Sequence, residues 1–255
     1  MKLISIVSLL IFWVPSLNAD VTLTYSITEH KKGSTKKNST LRMDQQFLRM
    51  DYDNPNQPIS LIMKKGDSIL TVIDHKKKKY TQIDINMINQ MTEMLAAKMA
   101  SMPEKQRKMM EKMLGSQINQ KPPKAKVTKK KSEKIGNWPA TLYAVSYEKK
   151  KNHTQVWLTE FKHLGLKPKD LDPLNHWIGV AEKSLANIKT KGAIFEKTFI
   201  AWQKLKDKGV VTKSSTKKGE TLLTKVSRAK LQPATFVVPE GYQKQDAPTP
   251  KGANL

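Results

Sequence analysis

The chain has no cysteine among its 255 residues, which excludes both a disulfide framework and a lipid-modified cysteine near its start. A fold without covalent staples must be held by its buried core. After residue 19 no stretch approaches the roughly 20 apolar residues that a spanning helix needs. Arginine is scarce as well. The basic side chains are overwhelmingly lysine, which lacks the planar fork suited to bidentate phosphate recognition. Catalytic patterns are also missing. The five histidines, His30, His75, His153, His163 and His176, lie in turns or on separate elements, none at a metalloprotease spacing or beside a nucleophile elbow. No acidic pair suits acid–base work, and no repeat of fixed period is found. These absences predict a non-enzymatic protein with no cofactor and no bound metal. His75, in DHKKKK, reads as a solvated turn residue.

The start, MKLISIVSLLIFWVPSLNAD, carries Lys2, an apolar run from Leu3 to Val14, a breaker at Pro15 and the small residue Ala19. That layout is the one a secretory signal peptide cut after Ala19 takes. The expected location is therefore the periplasm, with full secretion as the alternative. Charge is the loudest compositional fact: 46 Lys and Arg against 22 Asp and Glu, a net +24. Such a field attracts anionic partners. For an exported chain these are anionic membrane lipids or lipopolysaccharide, which also leaves open a basic adhesion or envelope-structure protein, and no nucleic acid is expected. The lysines are spread over turns and helix faces without forming one stripe, which also fits a solvated surface on a monomer.

Directly after residue 20, VTLTYSITE alternates Val21, Leu23, Tyr25 and Ile27 against polar residues, the period of a half-buried strand. NSTLRMD and FLRMDYD repeat the pattern, with Leu48, Met50 and Tyr52 on one face and Arg49, Asp51 and Asp53 on the other. ISLIMKKGDSILTVIDHKKKKYTQIDI adds two or three strands to the same antiparallel meander. At Asn86 the period changes to about 3.6. Ile88, Met91, Leu95, Met99 and Met102 form one helical stripe, and Ser101 with Glu104 suggests a capped second helix to Leu114. This helical pair spans 86–115. QINQKPPKAK follows within a polar linker over 116–126. Then come a hairpin from Leu142 to Thr159, a helix with Asp172 as N-cap and Pro173 at its first position, and a helix from Ile194 to Lys208. A last hairpin begins at GVVTKSS. Residues 20–243 read as one domain and 244–255 as a disordered tail.

Four phrases, KKYTQID, FLRMDYD, GVVTKSS and FVVPEGYQK, make the chain resemble an uncharacterised exported bacterial family, domain of unknown function 4412, over roughly residues 20–243. That family is similar in general build to the periplasmic outer-membrane lipoprotein carrier. The resemblance implies an α+β fold in which a curved, incompletely closed antiparallel sheet, a half-barrel, has helices covering its concave face around a hydrophobic cavity. No carrier residue maps onto a particular position of this sequence.

Eight of the twelve methionines fall within MINQMTEMLAAKMASMPEKQRKMMEKM at 87–113, and three readings stay open for them. They are the apolar side of a covering helix pair, since unbranched Met fills irregular gaps. Alternatively, they line a pliable lid over a hydrophobic or lipid-like ligand, with Ile88, Met91, Leu95, Met99, Met109, Met113, Trp177 and Trp202 facing it. The third reading is a Cu(I) site of soft thioethers at Met87, Met91, Met94, Met109, Met110 and Met113. Against copper, no histidine lies between residues 86 and 116.

Overall fold

The computed structural model describes residues 20–30, 36–113, 125–147, 150–187 and 204–247. Six strands open it: β1 (Val21–Glu29), β2 (Lys37–Met43), β3 (Phe47–Asp53), β4 (Ile59–Lys64), β5 (Ile69–Asp74) and β6 (Lys79–Asp84). Each pairs antiparallel with the next. The expected meander is present, and its register explains the alternation. Val21, Met43, Leu48, Met63, Leu70 and Ile83 line up across the six strands. Leu23, Leu41, Met50, Leu61 and Val72 form the neighbouring row. Cross-strand partners project from the same face, so one face of the meander is apolar. Arg49 and Asp51 fall on the other.

Two helices follow. The first, α1 (Ile85–Ser101), starts one residue earlier than the period predicts because the Asp84 carboxylate accepts from the Asn86 N–H at 2.9 Å and so caps it. The second, α2, spans Glu104–Met113. Ser101 does not cap α2 as expected. It ends α1, its hydroxyl donating back to the Lys98 carbonyl at 2.9 Å, while Met102 turns extended.

The second half returns as β7 (Ala125–Ile135), β8 (Trp138–Tyr147), β9 (Lys150–Thr159), β10 (Val210–Thr216) and β11 (Gly219–Ser227), with α3 (Asp172–Asn187) between β9 and β10. β11 pairs with β1, and β12 (Gln243–Gln245) pairs parallel with β6. The result is a curved, mostly antiparallel twelve-stranded sheet that is not closed, in the order β12-β6-β5-β4-β3-β2-β1-β11-β10-β9-β8-β7. Two expected boundaries move. The linker set at 116–126 ends sooner, since Ala125 and Lys126 already belong to β7, and the tail set at 244–255 begins later, since Lys244 and Gln245 belong to β12. Most of the helix expected from Ile194 lies outside the described residues; Leu205 at its end is buried against Tyr143, Val145, Val156 and Leu158.

The main core lies on the apolar face. Leu174 and Ile178 of α3 pack with Phe161, Leu164, Leu166 and Leu171 onto Val21, Leu23, Met43, Leu48, Val210 and Leu223. Burying one such side chain contributes about 1.5–3 kcal/mol, which is how a chain without disulfides holds α3 to the sheet. Polar contacts set its position along the strands. The Gly66 N–H donates to His176 Nε2 at 3.1 Å, and Lys65 reaches Asp172 at 3.5 Å.

The two sheet edges differ. Among the described residues β7 pairs with β8 alone, leaving an outer edge eleven residues long. Lys126, Lys129, Lys130, Lys131 and Lys134 are exposed on it, and the register shifts between Lys129 and Ser132. Lysine and a bulge both discourage an edge from pairing with a second copy. Replacing Lys129, Lys130 and Lys131 together by threonine is expected to produce dimers or larger species in sedimentation velocity at low salt. A sedimentation profile unchanged from wild type would show that these lysines do not guard the edge.

Candidate functional site

The apolar rows of β1–β6 are not uniformly covered. Leu48 and Met63 are buried, whereas Leu41, Met50, Leu61, Leu70 and Val72 keep partial exposure. Trp177 of α3 stands over Leu48, Met50, Leu61, Met63 and Leu70, and together they bound a cavity of about 10 Å³. That is room for one water at most. Ligand pockets for small organic molecules run to about 300–1,000 Å³, so an acyl chain requires the helices to part from the sheet. α1 packs along α3 and touches β6, which places it beside this crevice.

The residues named from the sequence distribute unevenly. Trp177 lies in the crevice, half-buried, and also packs against the main core. Met99 is half-buried and Met109 exposed. The side chains of Ile88, Met91, Leu95 and Met113, and the whole of Trp202, lie outside the described residues. Of the methionines considered for Cu(I), Met87 and Met94 on α1 and Met109 on α2 are exposed; the side chains of Met91, Met110 and Met113 are not described.

The opposite face carries a polar network that local pattern does not reveal. Asp51 on β3 accepts from Arg49 Nε at 2.7 Å and from Arg42 Nη1. Ser60 on β4, 0% exposed, donates to Asp51 Oδ1. Arg49 Nη2 donates to Ser60 Oγ at 3.0 Å, and His75 Nε2 lies 2.6 Å from the same oxygen. A hydroxyl has one proton and two lone pairs. Since Ser60 spends its proton on Asp51, its oxygen accepts from His75 Nε2–H, and His75 Nδ1 lies 2.9 Å from the Tyr242 hydroxyl. His75 does stand in the turn after β5, but it is half-buried and bonded to Ser60 and Tyr242 where full solvation was expected. The C-terminal segment is anchored by Phe236 stacked on Phe47 at 5.4 Å and by Arg49 Nη1 donating to the Thr235 carbonyl at 2.9 Å.

Serine, histidine and aspartate thus meet, but not as a hydrolytic triad. In a triad the carboxylate orients the imidazole through Nδ1 and the serine is open to substrate. Here Asp51 binds Ser60 itself, Nδ1 faces Tyr242, and the serine is fully buried. The cluster joins β2, β3, β4 and the turn after β5 to the C-terminal segment.

Electrostatic perturbations elsewhere follow local contacts. The Glu133 carboxyl is held below the usual carboxylate range, chiefly by the Trp157 indole N–H that it accepts. Lys213 lies over the same indole, 5.1 Å from the ring centroid. The Lys37 ammonium is raised, first by its hydrogen bond to Glu29 at 2.6 Å. Burial pushes the Tyr25 phenol well up. None of these groups lies in the Trp177 crevice. Among the described residues no group of three or more His, Cys, Asp or Glu side chains could hold a metal ion, and no helix is long and apolar enough to cross a membrane.

Fold and site together define an open α+β half-barrel with one apolar face, part of it under α3. No protein-family model and no curated protein matches the chain. Among solved structures it is similar to an uncharacterized conserved protein from Thermus thermophilus, at a TM-score of 0.45 and 5% identity over 91% of this chain and 92% of that one. It is also similar to PNGF-II, at 0.40 and 11% identity over 90% of this chain and 31% of that one. A third is the MucA/MucB complex of Pseudomonas aeruginosa, at 0.37 and 9% identity over 88% of this chain and 57% of that one. Likenesses this loose transfer neither family nor activity.

Proposed function

We propose that this is an exported, non-enzymatic protein of the bacterial envelope that binds a hydrophobic, lipid-like ligand between the apolar sheet face and helices α1 and α3. In this reading the helices lie on the concave side of the half-barrel, as in the lipoprotein-carrier-like build that the domain 4412 resemblance implies. The observation that carries it is the extent of the apolar face. Its two rows cross six and five strands of the meander, yet Leu41 and Val72 remain partly exposed, as do Met50, Leu61 and Leu70 in the crevice that holds Trp177. A face needed only for packing would be closed. Because the crevice has about 10 Å³ of free space, binding proceeds by displacement: the ligand lifts α1 and α3 and takes over their contacts. Met suits a wall that must fit several chain shapes.

Native mass spectrometry of protein purified without detergent is expected to show bound lipid. Replacing Met91, Leu95 and Met99 by glutamine should abolish it. A ligand at about a hundredfold over its Kd stabilises by about 2.7 kcal/mol, so fatty acids or phospholipids should raise the unfolding temperature. Protein that is always ligand-free, with no thermal shift from either lipid class, rules the reading out.

A further inference from the structure

We infer that the exposed methionines and lysines of α1 and α2 dock the protein onto an anionic lipid bilayer. The large apolar side chains left most exposed among the described residues are Met94 at 72%, Met109 at 59%, Met87 at 57% and Val237 at 54%. Three of the four lie on this helix pair. Met87 and Met94 sit seven residues apart on α1, about 10 Å along its axis and on one side of it. That side is turned to solvent, since Gln90, Ala97 and Lys98 are exposed with the methionines.

Charge selects the occupant. A second copy of a chain with net charge +24 is repelled, whereas a bilayer with acidic head groups is attracted. Lys98 in the last turn of α1 and Lys105 in the first turn of α2 are both exposed, beside the thioethers. Flexible apolar tips flanked by ammonium groups match an interface where acyl chains begin just below phosphates. Exposed residues on a globular fold rarely contribute to its stability, so these three methionines have no evident packing role. The inference deepens the lipid-binding proposal by naming where the ligand would be exchanged, and it rests on that proposal only for this purpose.

The test is flotation of the processed, full-length protein with vesicles of phosphatidylcholine alone and with vesicles containing phosphatidylglycerol. Wild type is expected to float only with the acidic vesicles, and raised salt should release it. The M87Q/M94Q/M109Q variant should lose about tenfold or more in partitioning, the single M94Q variant about threefold, and K98Q/K105Q should lose binding in step with the acidic lipid. Leucine at the same three positions should retain it. Circular dichroism checks that each variant is folded, and M94Q alone decides if the triple variant is not. Wild type that ignores acidic vesicles, or that binds neutral ones equally well, overturns the inference. So does glutamine substitution without loss, which would leave only diffuse charge attraction. Docking by protein that never carries lipid would sink the ligand proposal and leave the docking face standing; bound lipid without docking would do the reverse.

Discussion

Gly209→Ala is expected to lower the unfolding free energy by about 4 kcal/mol, visible as a large fall in the denaturation midpoint and poor recovery of folded protein. Gly209 is buried, immediately before β10, with φ at 144°. That backbone conformation is open essentially only to glycine. Space forbids the methyl group independently. A Cβ built there lies 2.1 Å from the Thr159 carbonyl oxygen and 2.8 Å from its carbon, both backbone atoms of β9 that have no rotamer to escape into. Relief requires moving the end of β9 away from β10, where Val210 pairs with Thr159. Thr159 and Thr212 are fully buried and bonded to each other at 3.2 Å, so the displacement would break a satisfied pair. A midpoint close to that of wild type would show that this junction yields at little cost.

Asp51→Ala is expected to cost about 3 kcal/mol, at the low end for a broken buried ion pair because the site is not fully dry. The side-chain exposures are 23% for Asp51, 14% for Arg49 and 33% for Arg42. Removing the carboxylate leaves Arg49 without its counter-charge and Ser60 without its acceptor inside the sheet. The same two residues hold the C-terminal segment, through the Thr235 carbonyl and through His75 to Tyr242. The loss should therefore be local first: amide exchange protection over residues 233–245 should fall before that of β1–β4. An Asp51→Leu, Arg49→Met double variant should recover part of the stability, because the apolar pair removes the unpaired Arg49 charge while Arg42, a third exposed, turns to solvent. If Asp51→Ala leaves both the midpoint and the C-terminal protection unchanged, the network is decorative.

The meander was legible because a strand with one buried face writes its period into adjacent residues. Leu48, Met50 and Tyr52 alternate with Arg49, Asp51 and Asp53, and the register confirms it. β7 was not legible. Lys129, Lys130 and Lys131 interrupt its alternation, and the bulge there shifts its phase. The helices announced themselves by a change of period, and Pro173 marked the start of α3, although Asp172, expected as its N-cap, is itself helical. Trp177 was recognisable as an apolar residue on α3, but its position over Met50, Leu61 and Leu70 depends on strands more than a hundred residues earlier. Met87 and Met94 were read as members of one thioether cluster. Their common exposure is a property of where α1 sits in the fold, beside α3 and β6.

Periodicity, caps and charge are properties of neighbours a few residues apart, so the amino-acid sequence by itself determined the strand-rich meander, the helical methionine segment and the strongly basic surface. Only the tertiary structure decided which faces are closed. His75 and Tyr242 are separated by 167 positions, and β1 finds β11 across nearly the whole chain. No local signal encodes such a return, because the contact forms only once the intervening strands have fixed both ends in space.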